Sequence, residues 1–90
     1  MNRVIHKRQH LYGTPFVIPV DAEVLHVANQ DGRPTVWYTT SGTESLEREL
    51  HIIGTGWQVP SDAGPYLGTV MVENFVWHVF DAPTPNEVPA

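Results

Sequence analysis

The chain has 90 residues, five Lys+Arg against ten Asp+Glu for a formal net charge of −5, and 41% hydrophobic residues with three each of Trp, Tyr and Phe. That length holds one domain and excludes a two-domain enzyme, while the apolar and aromatic content excludes a disordered chain. The absence of Cys removes disulfides, Cys-ligated zinc, iron–sulfur clusters and thiol nucleophiles together.

Helix signals are scarce, because eight Pro and seven Gly cut the chain into short pieces. Most pieces are rich in Val, Ile, Thr, Trp and Tyr, which favour strands. Residues 3–10 form the first candidate strand, with Val4 and Ile5 as its large apolar side chains. Residues 14–20 form the second; Pro15 and Pro19 cannot donate to a ladder, so this piece belongs at a sheet edge or in an irregular extended segment. Residues 23–30 form the third. Asp31-Gly32 follows, the pair that best supplies positive φ in a two-residue hairpin turn, and residues 35–40 return antiparallel.

Residues 41–53 carry two readings. Ser41 and Glu44 fit a capping box, with Leu46, Leu50 and Ile53 at helical spacing. The alternative is a loop at 41–46 and a strand at 47–53, which the Ile52-Ile53-Gly54 ending favours. Residues 54–65 read as a loop around Trp57. Residues 66–73 and 75–81 read as two more strands, with Asn74, a residue that tolerates the left-handed region, at their junction. From residue 82 three Pro and few apolar side chains indicate a disordered tail. The expected architecture is therefore all-β or β-rich: one small antiparallel sandwich or barrel-like domain over 1–81 with at most one short helix, then a Pro-rich tail over 82–90.

The strand Phe75-Val76-Trp77-His78-Val79-Phe80 is apolar on both faces. Strand geometry puts Phe75, Trp77 and Val79 on one side and Val76, His78 and Phe80 on the other. Fully burying a large side chain stabilises by about 1.5–3 kcal/mol, so both faces need cover. The cover comes either from a second sheet of the same chain or from another copy. Phe75, Val76, Trp77, His78 and Phe80 are accordingly the candidate interface, with a symmetric dimer as the default assembly.

Five blocks, Arg3-Val4-Ile5-His6-Lys7, Asp31-Gly32-Arg33-Pro34-Thr35-Val36-Trp37, Ile52-Ile53-Gly54-Thr55-Gly56, Leu67-Gly68-Thr69-Val70 and Val76-Trp77-His78-Val79-Phe80, stand in an order and spacing that resembles a family of small uncharacterised proteins of tailed bacteriophages and bacterial prophages. The resemblance covers residues 3–80. It implies a phage or prophage origin and a compact β-rich domain, and it brings no activity, catalytic residue or cofactor.

Chemical motifs are sparse. His6 and His10 would lie about 13 Å apart on a strand and could not share an ion, so no metal is expected. His78, among apolar neighbours, reads as a buried neutral imidazole bonded through one nitrogen. Glu47 and Glu49, about 7 Å apart on one strand face, read as a solvated surface. Gly54-Thr55-Gly56 reads as a tight turn before it reads as a phosphate cradle, since no Lys and no helix follow. Trp37, Tyr38, Trp57 and Tyr66 either fill the core or form a platform for a ligand. The net negative charge disfavours nucleic acid, with only Arg3, Lys7 and Arg8 forming a basic patch.

No apolar run of signal-peptide length opens the sequence, and residues 75–80 fall far short of the roughly 20 residues of a membrane helix. A bacterial cytoplasmic location, with no membrane association, is the expectation. The leading functional reading is a non-enzymatic binding module acting on a host protein or through self-association, with no cofactor and no catalytic residue. The alternative is a binder of a small nucleotide-type ligand, using Trp57, Gly54, Thr55 and Gly56 with Arg3, Lys7 or Arg8 for charge. An enzyme ranks third, since the sequence offers no convergent nucleophile, base and orienting group.

Overall fold

The computed structural model describes residues 2–42 and 46–83. Glu44 and most of the Pro-rich tail, residues 84–90, lie outside them. Seven strands follow in chain order: β1 (Val4–Gln9), β2 (Phe16–Pro19), β3 (Glu23–Gln30), β4 (Arg33–Thr40), β5 (Glu47–Gly54), β6 (Tyr66–Val72) and β7 (Phe75–Phe80). They build a three-stranded sheet in the order β1-β4-β3 and a four-stranded sheet in the order β2-β5-β7-β6, antiparallel throughout. The two pack as a sandwich and do not close into a barrel. No helix occurs among the described residues.

The helical reading of 41–53 is overturned. β5 is paired on both sides, with β2 and β7, and so puts Leu50 into the core while Glu49 faces solvent. A helix over the same residues would leave both neighbouring ladders without partners.

The β3–β4 hairpin follows its turn chemistry. Asp31 and Gly32 have φ of 54° and 80°, as a type I′ turn requires. The Gly32 N–H donates to Asn29 Oδ1 at 2.9 Å, and Asn29 Nδ2 donates to the Met71 carbonyl of β6 at 2.9 Å. Pro34 stands opposite Asn29, one pair beyond the closing pair Gln30–Arg33. Such a pair exchanges no hydrogen bonds across the hairpin, so the missing N–H costs nothing on that side. β2, with Pro19 at its end and Pro15 just before it, is an edge strand, where a missing N–H is tolerated.

The β6–β7 turn differs from expectation. Val72 pairs with Phe75, so Glu73 and Asn74 form a two-residue loop. Glu73, not Asn74, takes the positive φ, at 54°. The register dictates this, because the first central position of such a hairpin loop needs positive φ.

The core joins Phe16, Ile18, Val27, Val36, Tyr38, Leu50, Val70, Val72 and Val79. β3 lies close over β6: a Cβ on Gly68 would sit 3.1 Å from Val27 Cβ, so glycine at 68 sets the separation of the sheets. Val4 and Ile5 of β1 stay outside this core and are exposed.

A guanidinium clasp ties the four-stranded sheet to its connections. Arg48 on β5 grips both oxygens of Asp81, Nε to Oδ1 at 2.8 Å and Nη2 to Oδ2 at 3.1 Å. Its Nη1 donates to the carbonyls of Val20 and Ala22 at 2.7 and 2.9 Å. A second tie joins Asp21 to Ser41, whose N–H and hydroxyl donate to Asp21 Oδ2 at 3.0 and 2.8 Å.

β7 is central in its sheet, which answers most of its two-sided hydrophobicity. On the inner face Val79 is fully buried and Trp77 packs against the core. On the outer face Val76, His78 and Phe80 are half-buried between β5 and β6, with the Tyr66 ring edge-on to Phe80 at 5.5 Å. Phe75, at the strand's start, stays 60% exposed.

Candidate functional site

Beside Phe75 lies a cleft of about 340 Å³, lined by Gly54, Thr55, Trp57, Asn74, Phe75, Val76 and Trp77. Its construction begins at the end of β5. The Trp57 N–H donates to the Gly54 carbonyl at 3.0 Å, and Gly56 takes φ of 92°, the positive angle a tight turn needs at that position. The turn folds the Trp57 indole back onto Gly54, where a Cβ would meet ring carbons at 3.0–3.3 Å. Only glycine leaves room for the ring.

The β5–β7 register then sets Gly54 opposite Trp77, and the Thr55 N–H donates to the Val76 carbonyl at 3.2 Å. Trp57 meets Trp77 edge to face, with centroids 5.4 Å apart at 81°. Phe75 stacks on Trp77 at 6.0 Å and 24°. These are favoured aromatic geometries. Trp57 is 62% exposed, so two of the three rings present open faces to solvent.

The side chains of the lining residues carry no charge; the polar ones are Thr55, Asn74 and Trp77, and the Trp77 N–H is closed off from solvent. Trp77 Nε1 is buried with no acceptor among the described residues. A buried donor left unpaired costs about 1–3 kcal/mol.

Behind the cleft, on the outer face, His78 bonds through both ring nitrogens. Thr55 Oγ1 lies 2.8 Å from Nε2 and Thr69 Oγ1 lies 3.0 Å from Nδ1, with the Tyr66 hydroxyl bonded to Thr69. This corrects the expectation of a buried imidazole bonded through one nitrogen. Thr69 stands directly opposite His78 in the β6–β7 register, and the turn after Gly54 brings Thr55 to the other side. The relay contains hydroxyls and no carboxylate.

The two predicted residue sets converge here in part. Gly54, Thr55 and Trp57 line the same cleft as Phe75, Val76 and Trp77. Gly56 shapes the turn without lining the cleft. His78 sits behind Thr55, and Phe80 lies farther along β7 against Tyr66.

Arg3, Lys7 and Arg8 are not part of the site. They lie on or just before β1, in the other sheet, with partners of their own. Arg3 donates to Thr39 Oγ1, the Thr39 carbonyl and the Asp21 carbonyl at 2.8–2.9 Å. Lys7 donates to Gln30 Oε1 at 2.7 Å, and Arg8 faces Glu47 at 3.9 Å. The four-aromatic platform also does not form. Tyr38 is core, Trp37 packs by His26 at 5.9 Å, and Tyr66 packs by Phe80. Asn74 was not anticipated in the lining; its place in a two-residue hairpin loop beside Phe75 is the signal that identifies it.

His6 and His10 face different rings, Tyr38 and Phe16, at 5.7 and 5.2 Å. Among the described residues no three His, Cys, Asp or Glu side chains gather as a metal site, and no helix is long and apolar enough to cross a membrane.

Comparison with curated proteins and with solved structures finds no significant match. Comparison with protein families finds one that spans residues 1–89. The chain thus belongs to the family described as Domain of unknown function (DUF7352), and the two-sheet sandwich with its aromatic cleft is the structure this member presents.

Proposed function

We propose that the chain is a non-enzymatic binding module of phage or prophage origin, working in the bacterial cytoplasm, and that the aromatic cleft holds a protein partner, a second copy of the chain or a host protein. The phage part rests on the resemblance of the five sequence blocks. The binding part rests on one observation: Trp57, Phe75 and Trp77 form an open aromatic surface on a rigid two-sheet scaffold. Exposed aromatic clusters of this kind mark protein contacts, where Trp and Phe supply large contact area at small entropic cost.

The uncharged lining weighs against the nucleotide-type alternative. Phosphate is held by cations or by converging backbone N–H groups; Arg3, Lys7 and Arg8 are held elsewhere, and the Thr55 and Trp57 N–H groups already donate to the Val76 and Gly54 carbonyls.

Sedimentation velocity of the full chain at tens of micromolar, with Phe75→Ala as control, tests the reading. The expected result is a species larger than 10.1 kDa that Phe75→Ala dissociates, or a specific host protein retained by the native chain and lost with Phe75→Ala. A 10.1 kDa monomer that retains nothing sensitive to Phe75 would reject it.

A further inference from the structure

We infer that the free edge of β1 accepts an added strand, and that the strand it takes is an extended acidic segment of a partner protein. This surface is separate from the aromatic cleft and does not depend on what the cleft binds.

The two sheets have four edges, β1, β3, β2 and β6, and three of them are blunted. β2 is four residues long, with Pro19 at its end and Pro15 just before it. β3 carries a bulge between Val24 and His26, and β6 carries one between Tyr66 and Gly68. β3 and β6 also shield each other, since Asn29 Nδ2 donates to the Met71 carbonyl. Short length, proline, bulges and cover are the devices that keep sheet edges from pairing further. β1 has none of them: it keeps one unbroken register with β4 over Val4–Gln9, without Pro or Gly.

The ladder identifies its free backbone groups. The His10 N–H donates to the Pro34 carbonyl at 2.8 Å, so Val4, His6, Arg8 and His10 face β4. Ile5, Lys7 and Gln9 alternate with them and turn their N–H and carbonyl groups outward. Long side chains guard an edge when they stand over it, and here they are drawn back. Lys7 Nζ donates to Gln30 Oε1 at 2.7 Å and Gln9 Nε2 to the Gln30 carbonyl at 3.0 Å, two strands inward on β3. Arg8 turns to Glu47 of the other sheet. Val4 and Ile5 remain exposed, on opposite faces of the strand.

Charge selects the occupant. Arg3, Lys7 and Arg8 are three of the five Lys and Arg in the chain, and no Asp or Glu precedes Asp21. Their charge is poorly matched within the fold. Lys7 meets a neutral amide, while Arg3 and Arg8 stand 4.0 and 3.9 Å from Asp21 and Glu47, at the outer limit of an ion pair. Antiparallel pairing with a second β1 would double these cations along one ladder and bring no carboxylate, which disfavours a second copy. An acidic segment supplies the missing carboxylates. Running antiparallel to β1, it would set carboxylates opposite Arg8 and Lys7, one residue opposite His6, and apolar side chains opposite Ile5 and Val4. Backbone hydrogen bonds then supply affinity, and the side-chain pattern supplies selectivity.

The probe is the peptide acetyl-Thr-Glu-Glu-Thr-Val-Val-Thr-amide, titrated into the full chain and followed by two-dimensional amide NMR and hydrogen exchange. A peptide with Lys at both Glu positions is the control. The Glu peptide should protect the Ile5, Lys7 and Gln9 amides from exchange and change little at His6 and Arg8, whose N–H groups already pair with β4. Ile5→Pro removes one outward N–H at no cost to the β4 ladder, and should abolish the protection while Tm holds. Lys7→Glu keeps the backbone and should weaken the Glu peptide by about fivefold, the upper worth of an exposed ion pair. Phe75→Ala should leave the binding unchanged. An absence of protection at the three outward amides with millimolar peptide would overturn the acceptor edge. Equal protection by the Lys peptide would overturn the acidic partner. Protection that appears without peptide as protein concentration rises would replace that partner with a second copy. Binding lost in Phe75→Ala and kept in Ile5→Pro would belong to the cleft and reject the β1 site. If Ile5→Pro lowers Tm, the exchange pattern and Lys7→Glu decide between these outcomes.

Discussion

Replacing Arg48 with Ala is the sharpest test of what holds the scaffold together. The guanidinium makes four hydrogen bonds, two to the Asp81 carboxylate and one each to the Val20 and Ala22 carbonyls. Truncation leaves the Asp81 carboxylate, among the described residues, with the Ala82 N–H at 2.7 Å, and strips both carbonyls of this donor. Breaking a buried pair from one side costs about 3–5 kcal/mol. The Arg48 and Asp81 side chains are 21% and 17% exposed, so water screens part of that loss. An expected destabilisation of about 2–4 kcal/mol follows. For a domain of this size that corresponds to a drop of about 10–20 °C in Tm. Arg48→Lys should recover less than half, because an ammonium cannot grip both carboxylate oxygens and two carbonyls together. The Arg8–Glu47 pair is the internal control: at 3.9 Å and 45%/49% exposed, its loss through Glu47→Gln should cost less than about 0.5 kcal/mol. Urea unfolding followed by Trp fluorescence measures all three. A loss below about 1 kcal/mol for Arg48→Ala, near the typical worth of a single neutral hydrogen bond, would refute the clasp as a stabilising unit.

Gly54→Ala should push the Trp57 ring off its seat, abolishing the exciton band of the Trp57–Trp77 pair in circular dichroism; because Trp57 is exposed and can swing away, stability should fall by less than about 1 kcal/mol. Glu73→Gly should stabilise by about 0.5–1 kcal/mol in thermal melts, since a glycine removes the steric cost of φ at 54°. Burial holds the His10 imidazole below its ordinary value of 6.5, with Arg33 adding to the effect and a bond to the Thr14 backbone opposing it. Its contribution is therefore complete above about pH 6.5 and is lost as pH falls through the lowered value, a loss that His10→Phe should suppress in melts taken between pH 7 and 5. The Ser41 N–H and hydroxyl, and then Arg3, hold the Asp21 carboxyl below 3.8, so its contribution is present above that pH and lost on stronger acidification; Asp21→Asn should flatten this lower limb.

Much of the fold was legible in the sequence because its determinants are local. Asp31-Gly32 could supply two positive φ angles in succession, Pro15 and Pro19 barred their segment from a sheet interior, and the Val- and Thr-rich runs marked strands. The helix–strand ambiguity over 41–53 was not local. Leu50 and Ile53 satisfy a helical period as well as Leu50 and Ile52 satisfy a strand, and ladder partners on both sides decided between them. The position of positive φ at Glu73 was likewise a matter of register: Asn74 has the better intrinsic preference, but the Val72–Phe75 pair fixed which residue came first in the loop.

The candidate site was half legible for the same reason. Aromatic content and the Gly-rich turn flagged Trp57, Gly54 and Thr55, and the two-sided apolarity of 75–80 flagged Phe75, Val76 and Trp77. That the two groups form one cleft depends on β5 pairing with β7 across more than twenty residues of chain, with Gly54 opposite Trp77. Such pairing is set by the whole sheet and leaves no mark in either segment alone. The same long-range placement removed Arg3, Lys7 and Arg8 from the site, because β1 pairs with β4 in the three-stranded sheet, where Arg3 and Lys7 meet Thr39 and Gln30, while Arg8 meets Glu47 at the opposite end of β5 from Gly54. It also gave His78 a hydroxyl on each side, since Thr55 and Thr69 come from two different strands' ends and edges. Composition and turn chemistry thus determined which segments are strands and where they reverse; the sheet register, a property of contacts distant in sequence, decided which side chains meet.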